Sequence, residues 1–364
     1  MKVVIRVDAS LQIGTGHVMR CLTLAEALTK QGHQVHFICR SHSGNLIQWI
    51  QERGFQVDSL NTSDSIQTGE EKCSYASWLG VTQAQDAQAC LPLLKTIAPD
   101  WLIVDHYGID SLWHKALREA TQKIMVIDDL ANREHDCDLL LDQTLGRTSE
   151  VYQPRVPAHC QLLLGTHYGL LRPEFLQWRE RSLQRRTVPE LKQILITLGG
   201  IDRDNFSTKV LEAINGCQLP KATEITVIMG ASSPHLKIVQ AQAKKMRYPT
   251  TVKVGVSNMA ERMTQSDFVI SAAGATTWEV ACLGVPLMLM QTAENQATIM
   301  STLIHLKAMF AITPTHLAVD IRQLESLNST TLATLSNAIA KHSDGLGAAR
   351  VVDVIEGETC CVVT

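Results

Sequence analysis

Short, almost uninterrupted apolar runs alternate along the chain with longer stretches whose apolar positions recur every three or four residues. In the first half the runs cover residues 2–8, 34–40, 55–60, 100–106, 123–128 and 139–142. Parallel strands covered on both faces read this way, because neither side of the pleat meets water. Between the first two runs, residues 17–30 place Val18, Cys21, Leu22, Leu24, Ala25 and Leu28 on one helical stripe, and Gly32 ends it. A second series occupies 193–198, 224–229, 251–256, 268–272, 286–290 and 309–312. Strand–helix alternation of this kind predicts an α/β fold with two doubly wound, Rossmann-type domains.

At 364 residues the chain has the length of about two domains. The composition turns charged over 177–186 and Pro189 follows, so the linker is expected there. This gives a first domain over 1–185, a second over 190–345, and a helix and tail over 346–364, with the helical pattern in 345–355. Residues 61–72 read as a polar loop. Thirty-three basic residues against thirty-six acidic give a net charge of −3. That lacks the electrostatic footprint of a nucleic-acid binder. No apolar run approaches the roughly 18 residues of a membrane span. The first eight residues already carry Lys2, Arg6 and Asp8, and read as a strand and not a signal peptide. The ten cysteines are irregularly spaced without a Cys-x-x-Cys, which predicts reduced thiols in a cytoplasmic protein and no metal site.

Four segments carry candidate chemistry. Gly14-Thr15-Gly16-His17 leads from the first strand into the first helix. Glycines there let a ligand approach the backbone, and the positive end of the helix disfavours an imidazolium, which suits His17 to a general base facing an interdomain cleft. The third glycine of a dinucleotide fingerprint is replaced by Met19, and the second strand ends in Cys39-Arg40 without an acidic residue for a ribose. Ala273-Gly274-Ala275-Thr276-Thr277 after the 268–272 strand is a candidate anion site, with Glu279 one turn on for a ribose; no lysine makes it a P-loop. Gly199-Gly200 ends the first strand of the second domain, where the loop could approach a ligand. Asp105-His106-Tyr107 lies at the carboxyl end of a strand, the edge where open α/β sheets bind ligands. Asp105-His106 has the look of half a triad, but the chain has no Gly-x-Ser-x-Gly elbow. Asp128-Asp129 would point to opposite faces of a strand end, which makes a poor acid/base pair.

Taken together, the segments 6–8, 13–22, 104–108, 127–129, 170–175, 198–200 and 273–279 resemble the UDP-sugar hydrolase family of pseudaminic acid biosynthesis. The resemblance runs in order from residue 1 to about 345. The family is similar in fold to the GT-B glycosyltransferases, including the one that adds N-acetylglucosamine in peptidoglycan synthesis. It implies two Rossmann-type domains facing a cleft and metal-free, cofactor-free hydrolysis of UDP-2,4-diacetamido-2,4,6-trideoxy-β-L-altropyranose to UDP and the free sugar. His17 would activate water, and Tyr107 and Asn295 would orient water or sugar. The loop 273–277 would take the pyrophosphate, Glu279 the ribose, and the loop from Val256 to Met259 the uracil, with Arg133 and Arg172 as further contacts. UDP is a good leaving group, so the paired carboxylates of ordinary glycosidases are not needed. A GT-B transferase with an alcohol acceptor and a silent nucleotide-sugar binder are the competing readings. Thr359-Cys360-Cys361 match nothing interpretable.

Overall fold

The computed structural model describes residues 1–62, 75–292 and 296–357. The chain forms two compact units, one of Met1–Leu171 with the chain from Leu346 onward, the other of Arg172–Gly345. In the first unit the strands are β1 (Lys2–Val7), β2 (Gln34–Arg40), β3 (Gln56–Leu60), β4 (Trp101–Asp105), β5 (Lys123–Ile127), β6 (Leu139–Asp142) and β7 (Gln161–Leu164). They pair in parallel in the order β3-β2-β1-β4-β5-β6-β7. Helices α1 (Gly16–Lys30), α2 (Ile47–Glu52), α3 (Gln83–Ile97) and α4 (Ser111–Leu117) make the crossovers.

Alternation along each strand divides the core. Val3, Ile5 and Val7 face Val18, Leu22 and Leu28 of α1, whereas Val4, Leu102 and Val104 face Leu94 of α3 and Trp113 of α4. Arg6, on the α3 side of β1, is fully buried. Its guanidinium reaches Asp8 at 2.6 Å and Asp86 at 2.7 Å, and Asp86 also takes Arg40 at 2.5 Å and the Trp113 indole N–H at 2.9 Å. Two cations against two carboxylates leave this knot neutral, and it clamps the carboxyl end of β1, from which the glycine loop departs.

The second unit begins with α5 (Pro173–Arg185) and continues through β8 (Gln193–Thr197), α6 (Phe206–Asn215), β9 (Glu224–Met229), α7 (Leu236–Ala243), β10 (Thr250–Val254), α8 (Met259–Gln265), β11 (Phe268–Ala272), α9 (Thr276–Cys282) and β12 (Leu287–Met290). It ends with α10 (Ala297–His305), β13 (Phe310–Ile312), α11 (Leu317–Asp320) and α12 (Ser329–Ile339). The sheet is again parallel, in the order β10-β9-β8-β11-β12-β13.

Two expectations are corrected, and one strand is additional to those expected. The division falls between Leu171 and Arg172, not at 185–190, because the charged stretch is helix α5 and not a linker. Arg179 of this helix bonds to the carbonyls of Cys282, Ser343 and Ala340, and Arg186, which caps it, bonds to the Ser182 carbonyl of α5 and to those of Met263 and Ser266. The final helix, α13 (Gly347–Glu356), belongs to the first unit, where Val351, Val352 and Ile355 join the α1 side of the core. Strand β7, only four residues long at the sheet edge, was not anticipated. The other strands lie within two residues of the expected runs. The seven described cysteines are free thiols, six of them buried. Residues 63–72 of the expected polar loop and the tail from 358 lie outside the described residues.

Candidate active site

In the first unit the strand order turns back between β1 and β4, and the crevice at their carboxyl ends is where doubly wound sheets bind ligands. The loop after β1 is held by Ser10, whose hydroxyl accepts the N–H groups of Gln12 (3.1 Å) and Ile13 (2.9 Å) and whose carbonyl accepts that of Gly14 (2.8 Å). Gly14 has φ +80°, which only glycine adopts without strain, and a Cβ at Gly14 or Gly16 would meet nothing within 4 Å. The backbone therefore faces open space just where α1 begins.

His17 stands in the first turn of α1, with Nδ1 2.6 Å from Asp105 Oδ1 at the end of β4. Burial alone would raise the Asp105 pKa, but Arg20 and His17 outweigh it and hold the carboxyl well below the usual carboxylate range. An ionised carboxylate only accepts, so the proton between them belongs to Nδ1, and in the neutral imidazole the acceptor is then Nε2. Arg20, one turn further on the same helix face, forks onto the same carboxylate, Nε to Oδ2 at 2.6 Å and Nη2 to Oδ1 at 2.7 Å. Its Nη1 donates to Asp129 at 3.0 Å, and Asp129 also accepts the Tyr107 hydroxyl. Burial, with Asp129 beside it, pushes the Tyr107 phenol up, so it keeps its proton.

Aromatic rings surround the imidazole. Tyr107 meets it edge-on at 4.6 Å between centroids and Trp78 at 6.5 Å; Trp78 stacks on Tyr107 at 5.6 Å, and Tyr75 packs against both. Arg133 supports Tyr107 from behind, its guanidinium 5.7 Å from the ring centroid, donating to the carbonyls of Ile109 and His106 and pairing with Asp128 at 2.8 Å. Asp128 and Asp129 do diverge: Asp128 is fully buried and also accepts Tyr152, while Asp129 faces Arg20.

In the second unit the order turns back between β8 and β11. Gly199, at φ +95°, and Gly200 end β8 exposed, and neither would crowd a Cβ; nor would Gly274, after β11. Around it Ala275 is exposed and Thr276 half-buried, while Ala273 and Thr277 are buried, and the Thr277 hydroxyl has no hydrogen-bond partner. Glu279 pairs with Arg172 at 3.2 Å, and Arg172 also reaches Glu174 at 2.9 Å. Burial raises the Glu279 pKa against the pull of Arg172. Val256 and Met259 are half-buried beside the turn after β10.

The structure thus gathers His17 and Tyr107 in the first unit with Gly14 and Gly16, and Arg172 with Glu279 in the second. Asn295 lies outside the described residues. The Asp105-His106 pair is not a dyad: Asp105 serves His17, whereas His106 accepts the Gly108 N–H on Nδ1 and points Nε2 towards Asp8. Asp105 and Asp129 enter the sequence reading only in the Asp105-His106 and Asp128-Asp129 pairs, and Arg20, Tyr75 and Trp78 are given no role there. Strand parity would have found Asp105, since Trp101, Ile103 and Asp105 share the face that packs on α1. Arg20 and Asp129 are 109 residues apart, and no local pattern joins them. Among the described residues no three metal-ligating side chains are grouped, and no helix is long and apolar enough to cross a membrane.

Residues 193–299 match the glycosyltransferase family 28 C-terminal domain. The chain is 28% identical to the UDP-2,4-diacetamido-2,4,6-trideoxy-β-L-altropyranose hydrolase of Campylobacter jejuni, over 81% of this chain and 93% of that protein. It is 29% identical to an uncharacterised protein of Methanocaldococcus jannaschii over 81% of its own length, and spans 57% of that relative. A spore coat polysaccharide biosynthesis protein of Bacillus subtilis is 26% identical over 83% of this chain and 80% of its own. Among solved structures, Acinetobacter baumannii MurG superposes with a TM-score of 0.70 at 16% identity, covering 98% of this chain and 99% of that one. A UDP-N-acetylglucosamine 2-epimerase from Listeria monocytogenes follows at 0.63 and 12%, with 98% and 96% covered. The chain therefore has the GT-B fold, matches the glycosyltransferase family 28 C-terminal domain over residues 193–299, and is similar over four fifths of its length to the Campylobacter UDP-2,4-diacetamido-2,4,6-trideoxy-β-L-altropyranose hydrolase.

Proposed function

We propose that the chain is a metal-independent UDP-sugar hydrolase of the cytoplasm. The observation that carries this reading is the bond from His17 Nδ1 to the buried Asp105, which leaves Nε2 as an acceptor beside an open glycine loop. In the proposed reaction, water attacks the anomeric carbon and gives a proton to Nε2, while the bond from that carbon to the UDP oxygen breaks and UDP leaves as the anion. Tyr107 and Asn295 orient water or sugar. The nucleotide belongs to the second unit: Ala273 to Thr277 at the pyrophosphate, Glu279 at the ribose, Val256 to Met259 at the uracil, with Gly199 and Gly200 admitting the ligand to the backbone. Arg172 holds the Glu279 carboxylate and Arg133 braces Tyr107. The likeness to the Campylobacter enzyme supports UDP-2,4-diacetamido-2,4,6-trideoxy-β-L-altropyranose as the substrate.

His17→Asn tests it. A positioned base contributes roughly 10²–10⁴-fold, so kcat should fall by that factor while UDP affinity by calorimetry stays the same. Near-normal turnover by a variant that melts early would make His17 structural. Turnover should also survive EDTA; loss restored by Mg²⁺ would defeat the metal-free scheme. The family 28 domain and the likeness to MurG favour a second reading, a transferase on the same UDP site. UDP released from the UDP-sugar without any acceptor separates the two.

A further inference from the structure

The charges around His17 do not cancel. From α1 come Arg20 and the Cys21 thiol, which burial pushes up and keeps protonated. From the end of β4 come Asp105, the protonated Tyr107 and His106, which burial pushes down to about 3 and keeps neutral. Asp129 follows β5, and Tyr75 and Trp78 add only rings. Arg133 and Arg147, which approach the Tyr107 ring and the Asp129 carbonyl, are matched by Asp128 at 2.8 Å and Asp142 at 2.5 Å. What remains is one guanidinium against two carboxylates, a net charge of −1 around the imidazole. Arg20 lies at the centre: Nη2 is 3.3 Å from His17 Nδ1 and 2.7 Å from Asp105, and Nη1 is 3.0 Å from Asp129.

We propose that Arg20 and Asp129 are positioning residues that match the site's charge to the imidazolium formed when His17 takes the proton from water. Resting on the reading of His17 as the base, this assigns opposite duties to the two. Asp129 supplies the negative charge that the new imidazolium neutralises. Arg20 offsets Asp105, so that two carboxylates do not hold His17 protonated before substrate arrives, and its fork fixes the imidazole and, through Asp129, the Tyr107 hydroxyl. Because α1 contributes His17 and Arg20 one turn apart, and the end of β4 and the turn after β5 contribute the carboxylates, one cation joins three segments at the reacting edge of the sheet.

The test is the pH profile of kcat/KM for the full-length chain and for Arg20→Gln and Asp129→Asn. A charge within a few ångströms moves a titration by about one pH unit or more. Losing the cation should shift the acid limb to higher pH by about that amount, and losing the Asp129 charge should shift it to lower pH. Arg20→Lys, which keeps the charge without the fork, should leave the limb near its wild-type position. A merely structural role lowers activity at every pH and moves no limb. Limbs that stay in place, or that move in the same direction for Arg20→Gln and Asp129→Asn, overturn the proposal. Asp129 is partly exposed, so Asp129→Asn decides the question even if Arg20→Gln fails to fold. His17→Asn, assayed alongside, keeps the readings apart: an inactive His17→Asn with unmoved limbs removes only the charge matching, whereas an active one removes the base and the charge matching with it.

Discussion

Asp105 decides which nitrogen of His17 can act. An amide at this position could donate to Nδ1 and put the proton on Nε2, so Asp105→Asn should lower kcat by roughly 10²–10⁴-fold, the same range as loss of the base. UDP affinity should be unchanged in calorimetry. Equal turnover would mean that the 2.6 Å bond has no part in the chemistry. Glu279 is the corresponding residue of the second unit. If it accepts the ribose hydroxyls, Glu279→Gln should weaken UDP binding by up to about 1–3 kcal/mol, the range for hydrogen bonds to a charged group. His17 and Glu279 were legible in the sequence, because each sits at a strand-to-helix turn rich in small residues. Their partners Asp105 and Arg172 were less so, since pairing across 88 and 107 residues depends on where the chain returns.

At the level of elements, α1 both buries its apolar stripe and presents His17 and Arg20 from its first two turns. It is held from outside by α13, whose Ile355 is buried against the same core. Truncating a buried isoleucine costs about 2–5 kcal/mol. Ile355→Ala should lower the melting transition of the first unit and leave that of the second in place, a difference calorimetry would resolve. The expected strands match because parallel strands buried on both faces announce themselves as apolar runs. β7 escaped because Gln161-Leu162-Leu163-Leu164 is too short to separate from a loop. The α5 segment reads as a linker because charge usually means solvent; here Arg179 and, at the helix end, Arg186 direct theirs at carbonyl groups.

At the scale of the whole molecule, the buried ionisable groups among the described residues concentrate in the first unit, and that sets its response to acid. Burial holds His106 down at about 3 and lowers His114 as well. In the unfolded chain a histidine titrates near 6.5. The unfolded state therefore binds the extra protons first, and stability falls as pH drops below about 6.5, continuing towards pH 3 for His106. Asp8, Asp105 and Asp128, each held below the usual carboxylate range by buried arginine or histidine partners, add a further loss below about pH 4. Melting scans from pH 7.5 to 4 should show the first unit losing stability before the second. His106→Gln should flatten its slope between pH 6.5 and 4, and an unchanged slope would assign the acid sensitivity elsewhere.

The fold class was decided locally. Apolar runs alternating with amphipathic stretches leave a chain little choice but parallel sheets covered by helices, and glycines at strand ends mark where a ligand can approach. The tertiary structure decided the rest. Whether a charged stretch is a linker or a helix depends on whether carbonyl groups wait for its arginines. To which unit the last helix returns depends on which core its Val351, Val352 and Ile355 complete. Which carboxylate turns His17 into an acceptor depends on strand order, which brings the end of β4 beside the start of α1 although 88 residues of chain separate Asp105 from His17. Electrostatic pairing acts over ångströms of space, and spacing along the sequence carries no record of it until the sheet has set its order.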